Sequence, residues 1–218
     1  MIFDRFDRVR IINLANRPDR RRETEAELAR IGVAVDGKRV AFFNACTVDH
    51  SGGFYSKGAH GCYLSHLSIL EEGGSVLILE DDCDFSSALP SFACGDFDIL
   101  YGGYDALTPE NLQASDIVGA HMMGYSAETS VQVGRYFRKL LVPDFRNNVP
   151  PPPADAAIIW FRRAHPDIKT VFAVPPLSFQ RPSRTDIGPA KLFDRLPLIR
   201  EAASLARKTK RKLRSRSI

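Results

Sequence analysis

Residues 76–85 read V-L-I-L-E-D-D-C-D-F. Four aliphatic residues in succession, without polar alternation, predict a central strand over 76–79 covered on both faces. The run ends in Glu80, Asp81, Asp82 and, one residue on, Asp84. Carboxylates this close repel one another, so something positive should sit among them.

The flanking sequence alternates between the two periods of regular structure. Residues 9–14 (V-R-I-I-N-L) predict a first strand, and Asn16 and Pro18 a capped helix start. A helix is expected over 19–31, stopped by Gly32, then a strand over 40–44. Residues 51–61 hold four glycines and predict a loop, followed by a helix over 60–72 with Leu64, Leu67 and Leu70 on its apolar face. Beyond the acidic turn come a strand over 97–101 ending at Gly102-Gly103, a loop over 104–119 and a weak strand over 120–125. A helix over 127–141, a rigid proline spacer over 150–153, a short helix over 154–163 and a late strand over 170–174 complete the pattern. Strands alternating with helices predict an α/β fold, a mainly parallel sheet sandwiched by helices. The expected organisation is one domain over 1–194 and a basic helical tail over 195–218.

The chain has 218 residues, 44% hydrophobic and 26% charged, enough for one sizeable core. Its net charge of +4 hides an asymmetry. Seven of the 30 basic residues fall between Arg207 and Arg216, leaving 23 against 26 acidic residues in the remainder. Such a tail suits an anionic membrane surface or nucleic acid, or is a solvated terminus. The body lacks a basic face interleaved with aromatics, which disfavours a nucleic-acid module. No run of about 18 apolar residues occurs and the first residues lack a signal-peptide core, so a cytoplasmic location is expected. Cys46, Cys62, Cys83 and Cys94 show no C-x-x-C spacing and are expected to be reduced thiols.

In parallel-sheet folds, ligands gather beyond the carboxyl ends of the strands. The strand over 76–79 delivers its carboxylates to that edge. Hard oxygen ligands suit Mg²⁺ or Mn²⁺, and Glu80, Asp82 and Asp84 form both an E-x-D and a D-x-D. A solvated acidic turn is the alternative. Arg17, Arg20, Arg21 and Arg22 cluster at a helix N-terminus, where they suit a ligand phosphate or an acidic neighbour. The alternative there is an exposed face pairing with Glu23, Glu25 and Glu27. Neither G-x-G-x-x-G nor G-x-x-x-x-G-K-[ST] is present, which disfavours dinucleotide dehydrogenases and P-loop enzymes.

Taken together, I-I-N-L-A-N-R-P-D-R-R, G-A-H-G-C-Y-L-S-H-L and V-L-I-L-E-D-D-C-D-F resemble successive blocks of glycosyltransferase family 25. A-H-M-M-G-Y-S, P-P-P-A-D and P-P-L-S-F-Q-R-P-S-R-T-D-I-G resemble its later blocks. This family contains bacterial lipooligosaccharide and collagen galactosyltransferases. The resemblance spans about residues 10–188. It implies a GT-A-like fold, a nucleotide-sugar donor, a divalent metal (Mn²⁺ or Mg²⁺) at the acidic cluster and an inverting transfer. Carried over by position, Asn13, Arg17 and Arg20 would sit at the nucleotide, and Asp82 with Glu80 or Asp84 at the metal. His66 and His121 would face the site, with His60 and Ser65 in the same block as His66, and Gln180 would contact donor or acceptor. Asp155 and Asp186 are the candidate catalytic bases. His60 stands where the family usually has an acidic residue, and the Gly73-Gly74 link is short. These departures leave a non-catalytic member open beside the transferase, and a metal-dependent phosphohydrolase would use the same carboxylates.

Overall fold

The computed structural model describes residues 1–181. Asp186 and the basic segment from residue 195 onward lie outside the described residues. The strands are β1 (Arg8–Asn13), β2 (Val40–Asn44), β3 (Val76–Glu80), β4 (Cys83–Phe85), β5 (Ile99–Ala106), β6 (Ile117–Tyr125), β7 (Thr170–Phe172) and β8 (Ser178–Gln180). The helices are α1 (Pro18–Arg30), α2 (Lys57–Glu71), α3 (Ala127–Leu140) and α4 (Ala154–Ala164). Six strands form one sheet in the order β2-β1-β3-β6-β5-β7, and β4 pairs with β8 in a separate ribbon. β1 is parallel to β2 and β3, and β5 to β7, while β6 is antiparallel to both its neighbours. The α/β fold with a mainly parallel sheet is therefore as expected, with β6 its one reversed strand.

β3 shows why the opening run has no polar alternation. Val76 and Ile78 pack with α2, α3 and α4, whereas Leu77 and Leu79 pack with Leu28 of α1 and Phe85 of β4. Successive side chains on a strand face opposite ways, so a strand covered on both sides must be apolar throughout. All four are fully buried.

Several local boundaries differ from expectation. α1 begins at Pro18, capped by the backbone of Arg17 with no side-chain cap, so Asn16 does not cap it. α2 begins three residues early, at Lys57, because Ser56 Oγ accepts the Ala59 N–H. Its glycines do not mark a loop. A methyl group at Gly61 would overlap the Cys46 carbonyl, so that glycine lets α2 pack closely on the chain after β2. Ser126 caps α3 by accepting the Thr129 N–H at 3.3 Å. β5 runs through Gly102 and Gly103 rather than ending there, with register shifts between Tyr101 and Gly103 and between Gly103 and Asp105. A side chain at Gly102 would crowd Met122, and one at Gly103 would overlap Ser178 and the His121 ring. The loop expected over 104–119 shrinks accordingly, its two ends being strand. All four cysteines are free. Among the described residues, no helix is long and apolar enough to cross a membrane.

Candidate functional site

The carboxyl edge of the sheet gathers Asn13 from β1, Glu80 from β3 and the start of β6. The acidic residues after β3 take different partners. Asp81 turns toward α1, where Asn13 Nδ2 and Arg20 Nη1 each donate to it at 2.7 Å. Its backbone carbonyl accepts the Thr24 hydroxyl at 2.7 Å. Asp84 accepts from Arg181 Nε at 2.9 Å, and the same guanidinium reaches Glu23 at 2.8 Å. Asp82 is 6% exposed. Gln180 Nε2 donates to its Oδ2 at 3.3 Å and Arg20 Nη1 lies 3.8 Å from that oxygen, but Oδ1 is buried with no hydrogen-bond partner among the described residues.

Glu80 faces α2. His66 Nε2 lies 3.7 Å from its Oε1, and Cys62 Sγ lies 4.0 Å from the same oxygen. Cys62 and His66 are four residues apart on α2 and therefore share a face. Burial pushes Glu80 upward, but nearby His66, joined by the charges of His121 and Arg20, outweighs it and holds Glu80 below the usual carboxylate range. Asp82 moves the other way, pushed up to about 7 by burial and then by the charges of Glu80 and Asp81, against Arg20 and Gln180. Two neighbouring acids with opposite shifts, Asp82 buried and Glu80 partly so, mark a place where charge is concentrated.

The other expected residues fall into two groups. His121 pairs with Ser178, its Nε2 lying 3.1 Å from that carbonyl, one residue past the point where β6 pairs with Leu79. Its charge contributes to lowering Glu80. Asp155, in the first turn of α4, accepts the Gly119 N–H at 3.0 Å and the Ala156 N–H at 2.9 Å. Gly119 lies near the start of β6, so Asp155 stands at the same edge as Glu80. The remaining residues are engaged elsewhere. Arg17 pairs with Asp19 at 2.9 Å, holding that carboxylate down to about 2. Ser65 Oγ donates to the Gly61 carbonyl at 2.7 Å and accepts the Cys46 N–H at 2.8 Å. His60 stacks on Phe54 with centroids 4.9 Å apart, its Nδ1 lying 3.1 Å from the His50 carbonyl.

Glu80, Asp82, His66, His121 and Gln180 are thus brought together, with Asp155 along the same edge. Asn13 joins them through Asp81, and Arg20 through both Asp81 and Asp82. Four contributors escaped the sequence reading. Asp81, Arg181 and Tyr55 carried no signal beyond their neighbourhood, but Cys62 did, through its four-residue spacing from His66. Tyr55 is 65% exposed in the loop before α2. Its hydroxyl is nonetheless raised by partial desolvation and then by the charges of Asp155, Cys62 and Glu80.

No family model matches the chain. It is 38% identical over 103 residues to "Probable inactive glycosyltransferase 25 family member 3" from Bos taurus, covering 38% of this chain and 17% of that protein. It is 39% identical over 103 residues to "Inactive glycosyltransferase 25 family member 3" from Homo sapiens, with the same coverage. Over this stretch the chain is similar to members of glycosyltransferase family 25. The match spans less than a fifth of the length of these family-25 relatives. Solved structures with a similar chain path are also glycosyltransferases. One is involved in glycosylating the major capsid of PBCV-1 (TM-score 0.49, 10% identity, 79% of this chain and 92% of that one). Another is the galactosyltransferase LgtC (TM-score 0.43, 13% identity, 76% and 72%).

The divalent cation that family 25 implies would meet two carboxylates suited to it. Asp82 offers an oxygen that has no hydrogen-bond partner among the described residues, and Glu80 stands beside it. Hard cations need only one or two such ligands when water and phosphate complete the shell. Asp84 would first have to give up Arg181.

Proposed function

We propose that the chain is a nucleotide-sugar-dependent glycosyltransferase. It moves a hexose, with galactose the first candidate, from a uridine diphosphate sugar to a surface glycan or lipid-linked acceptor, inverting the anomeric carbon. The observation that carries this reading is the buried, unpartnered Oδ1 of Asp82 beside Glu80. Glu80 and Asp82 would hold Mn²⁺ or Mg²⁺, which when bound neutralises the donor's diphosphate as the sugar leaves. Gln180 orients Asp82 through its amide. Asp155 is the first candidate for the base that removes the acceptor hydroxyl's proton. Two backbone N–H groups fix its carboxylate while leaving lone pairs for that proton. Asp186 is the second candidate. Asn13 and Arg20 act through Asp81, Arg17 meets the nucleotide, and His66 and His121 flank the donor.

A thermal-shift series with nucleoside diphosphates and nucleotide sugars, with and without Mn²⁺, tests this. Uridine diphosphate should stabilise the chain only when metal is present, by about 2.7 kcal/mol at a hundred times Kd. Stabilisation indifferent to metal, or none with any nucleotide, overturns the proposal. The relatives' names favour a second reading, a donor-binding member without turnover. Metal-dependent stabilisation with no diphosphate released from any sugar donor selects it, and release of inorganic phosphate selects a phosphohydrolase.

The segment carrying Arg207–Arg216 is proposed to hold a domain over 1–194 at the inner face of the cytoplasmic membrane. Each basic residue contributes about 1 kcal/mol near an anionic bilayer. Truncation after Leu205 should weaken binding to phosphatidylserine vesicles by more than tenfold, and unchanged binding removes the membrane role.

A further inference from the structure

Within the described residues, one cluster combines sulfur, nitrogen and oxygen ligands. Cys62, His66 and Glu80 each offer an atom, and these atoms all lie within 4.8 Å of one another. His66 is 1% exposed, and neither ring nitrogen has a hydrogen-bond partner among the described residues. Its nearest charged neighbour is Glu80 Oε1 at 3.7 Å, too far for a hydrogen bond. Burying an imidazole with both nitrogens unsatisfied costs about 1–3 kcal/mol for each lost bond, so the arrangement calls for a ligand between these groups.

We propose that Cys62, His66 and Glu80 form a binding site for a borderline-soft divalent transition ion, zinc being the first candidate. Zinc bonds of about 2.0–2.3 Å in a tetrahedral shell separate ligand atoms by about 3.3–3.8 Å. The His66–Glu80 pair at 3.7 Å meets this spacing, and Cys62, 4.0 Å from Glu80, would draw in by a few tenths of an ångström. Three protein ligands from a cysteine, a histidine and a carboxylate leave one position open, as in sites where zinc also meets water or substrate. The donor set differs from the all-oxygen site expected for Mn²⁺ or Mg²⁺, since thiolate and imidazole select softer ions. On binding, the Cys62 thiol gives its proton to the buffer and its sulfur lone pair to the metal.

Two features prearrange the cluster. Cys62 and His66 occupy one face of α2, and α2 is fixed against the Cys46 backbone by Gly61 and Ser65. Glu80 closes the third side from the end of β3. The site does not rest on the transferase reading, although the two share Glu80.

Titration of the full, untagged chain with Co²⁺ tests the proposal. One equivalent should produce a thiolate-to-cobalt charge-transfer band that Zn²⁺ abolishes. Cys62→Ser should remove the band, and His66→Ala should weaken Co²⁺ binding at least tenfold. His60→Ala should leave the band intact, because His60 belongs to the stack with Phe54. Asp82→Asn should also leave it intact while removing metal-dependent nucleotide binding, which separates failure of this site from failure of the transferase reading. A band that survives in Cys62→Ser, or disappears in His60→Ala, overturns the assignment. Should Cys62→Ser not fold, X-ray absorption of the zinc-loaded native chain decides. One sulfur at about 2.3 Å with nitrogen and oxygen near 2.0 Å supports the site, and a shell without sulfur refutes it.

Discussion

The two flanks of the turn after β3 treat their acids in opposite ways. Toward α1, Asp81 is held by Asn13, Arg20 and, through its backbone, Thr24, and Asp84 is held by Arg181. Toward α2, Glu80 faces an imidazole at 3.7 Å and a thiol at 4.0 Å, and Asp82 Oδ1 is buried with no hydrogen-bond partner among the described residues. Adjacent residues of one chemistry, 5% and 6% exposed, thus live in a closed network and an open one. Closed networks stabilise a fold, whereas buried groups left without partners mark where a ligand belongs.

The contrast predicts unequal costs. Asp81→Ala removes the close buried acceptor of both Arg20 and Asn13 and should cost about 3–5 kcal/mol in urea unfolding. Asp82→Ala removes a carboxylate that has little to lose and should cost under about 1 kcal/mol. Equal costs would erase the distinction between the flanks.

A smaller effect concerns acid stability. Arg30 donates to Glu27, and the Phe85 N–H donates to Glu27 Oε1 at 2.8 Å. The Arg30 hydrogen bond, joined by that N–H and by charge, outweighs burial and holds Glu27 below its ordinary value of 4.5. A depressed carboxylate contributes stability that is present above its unfolded pKa and lost as pH falls through the folded one. Glu27→Gln should therefore destabilise the chain at pH 7, and the difference should fade as pH falls from 4.5 through the lower folded pKa. A pH-independent difference would assign the effect to packing.

The least effect is expected at Arg17. Its pair with exposed Asp19 is worth about 0.2–1 kcal/mol. Arg17→Ala should leave stability within that range yet weaken uridine diphosphate binding at least fivefold. Unchanged affinity would confine Arg17 to the surface.

How much of this was legible depended on how far apart the partners lie in the chain. β3 announced itself through residues 76–79, and the acids at its end followed from strand direction alone. The helix start at Ser56 was hidden because glycine suggests a loop, while Gly61 serves close packing here. β4 and β8 are three residues each and pair across nearly a hundred positions, Cys83 with Gln180, so no local pattern betrays them. The division of labour between Asp81 and Asp82 was equally invisible. It depends on which of two neighbours Arg20, some sixty residues earlier, can reach.

One contact carries a consequence for selectivity. Because the Cys46 carbonyl leaves no room for a methyl group at Gly61, α2 cannot slide or roll without unseating the chain after β2. The spacing among residues 62, 66 and 80 therefore works as a fixed gauge, and whatever enters there is sorted by its radius.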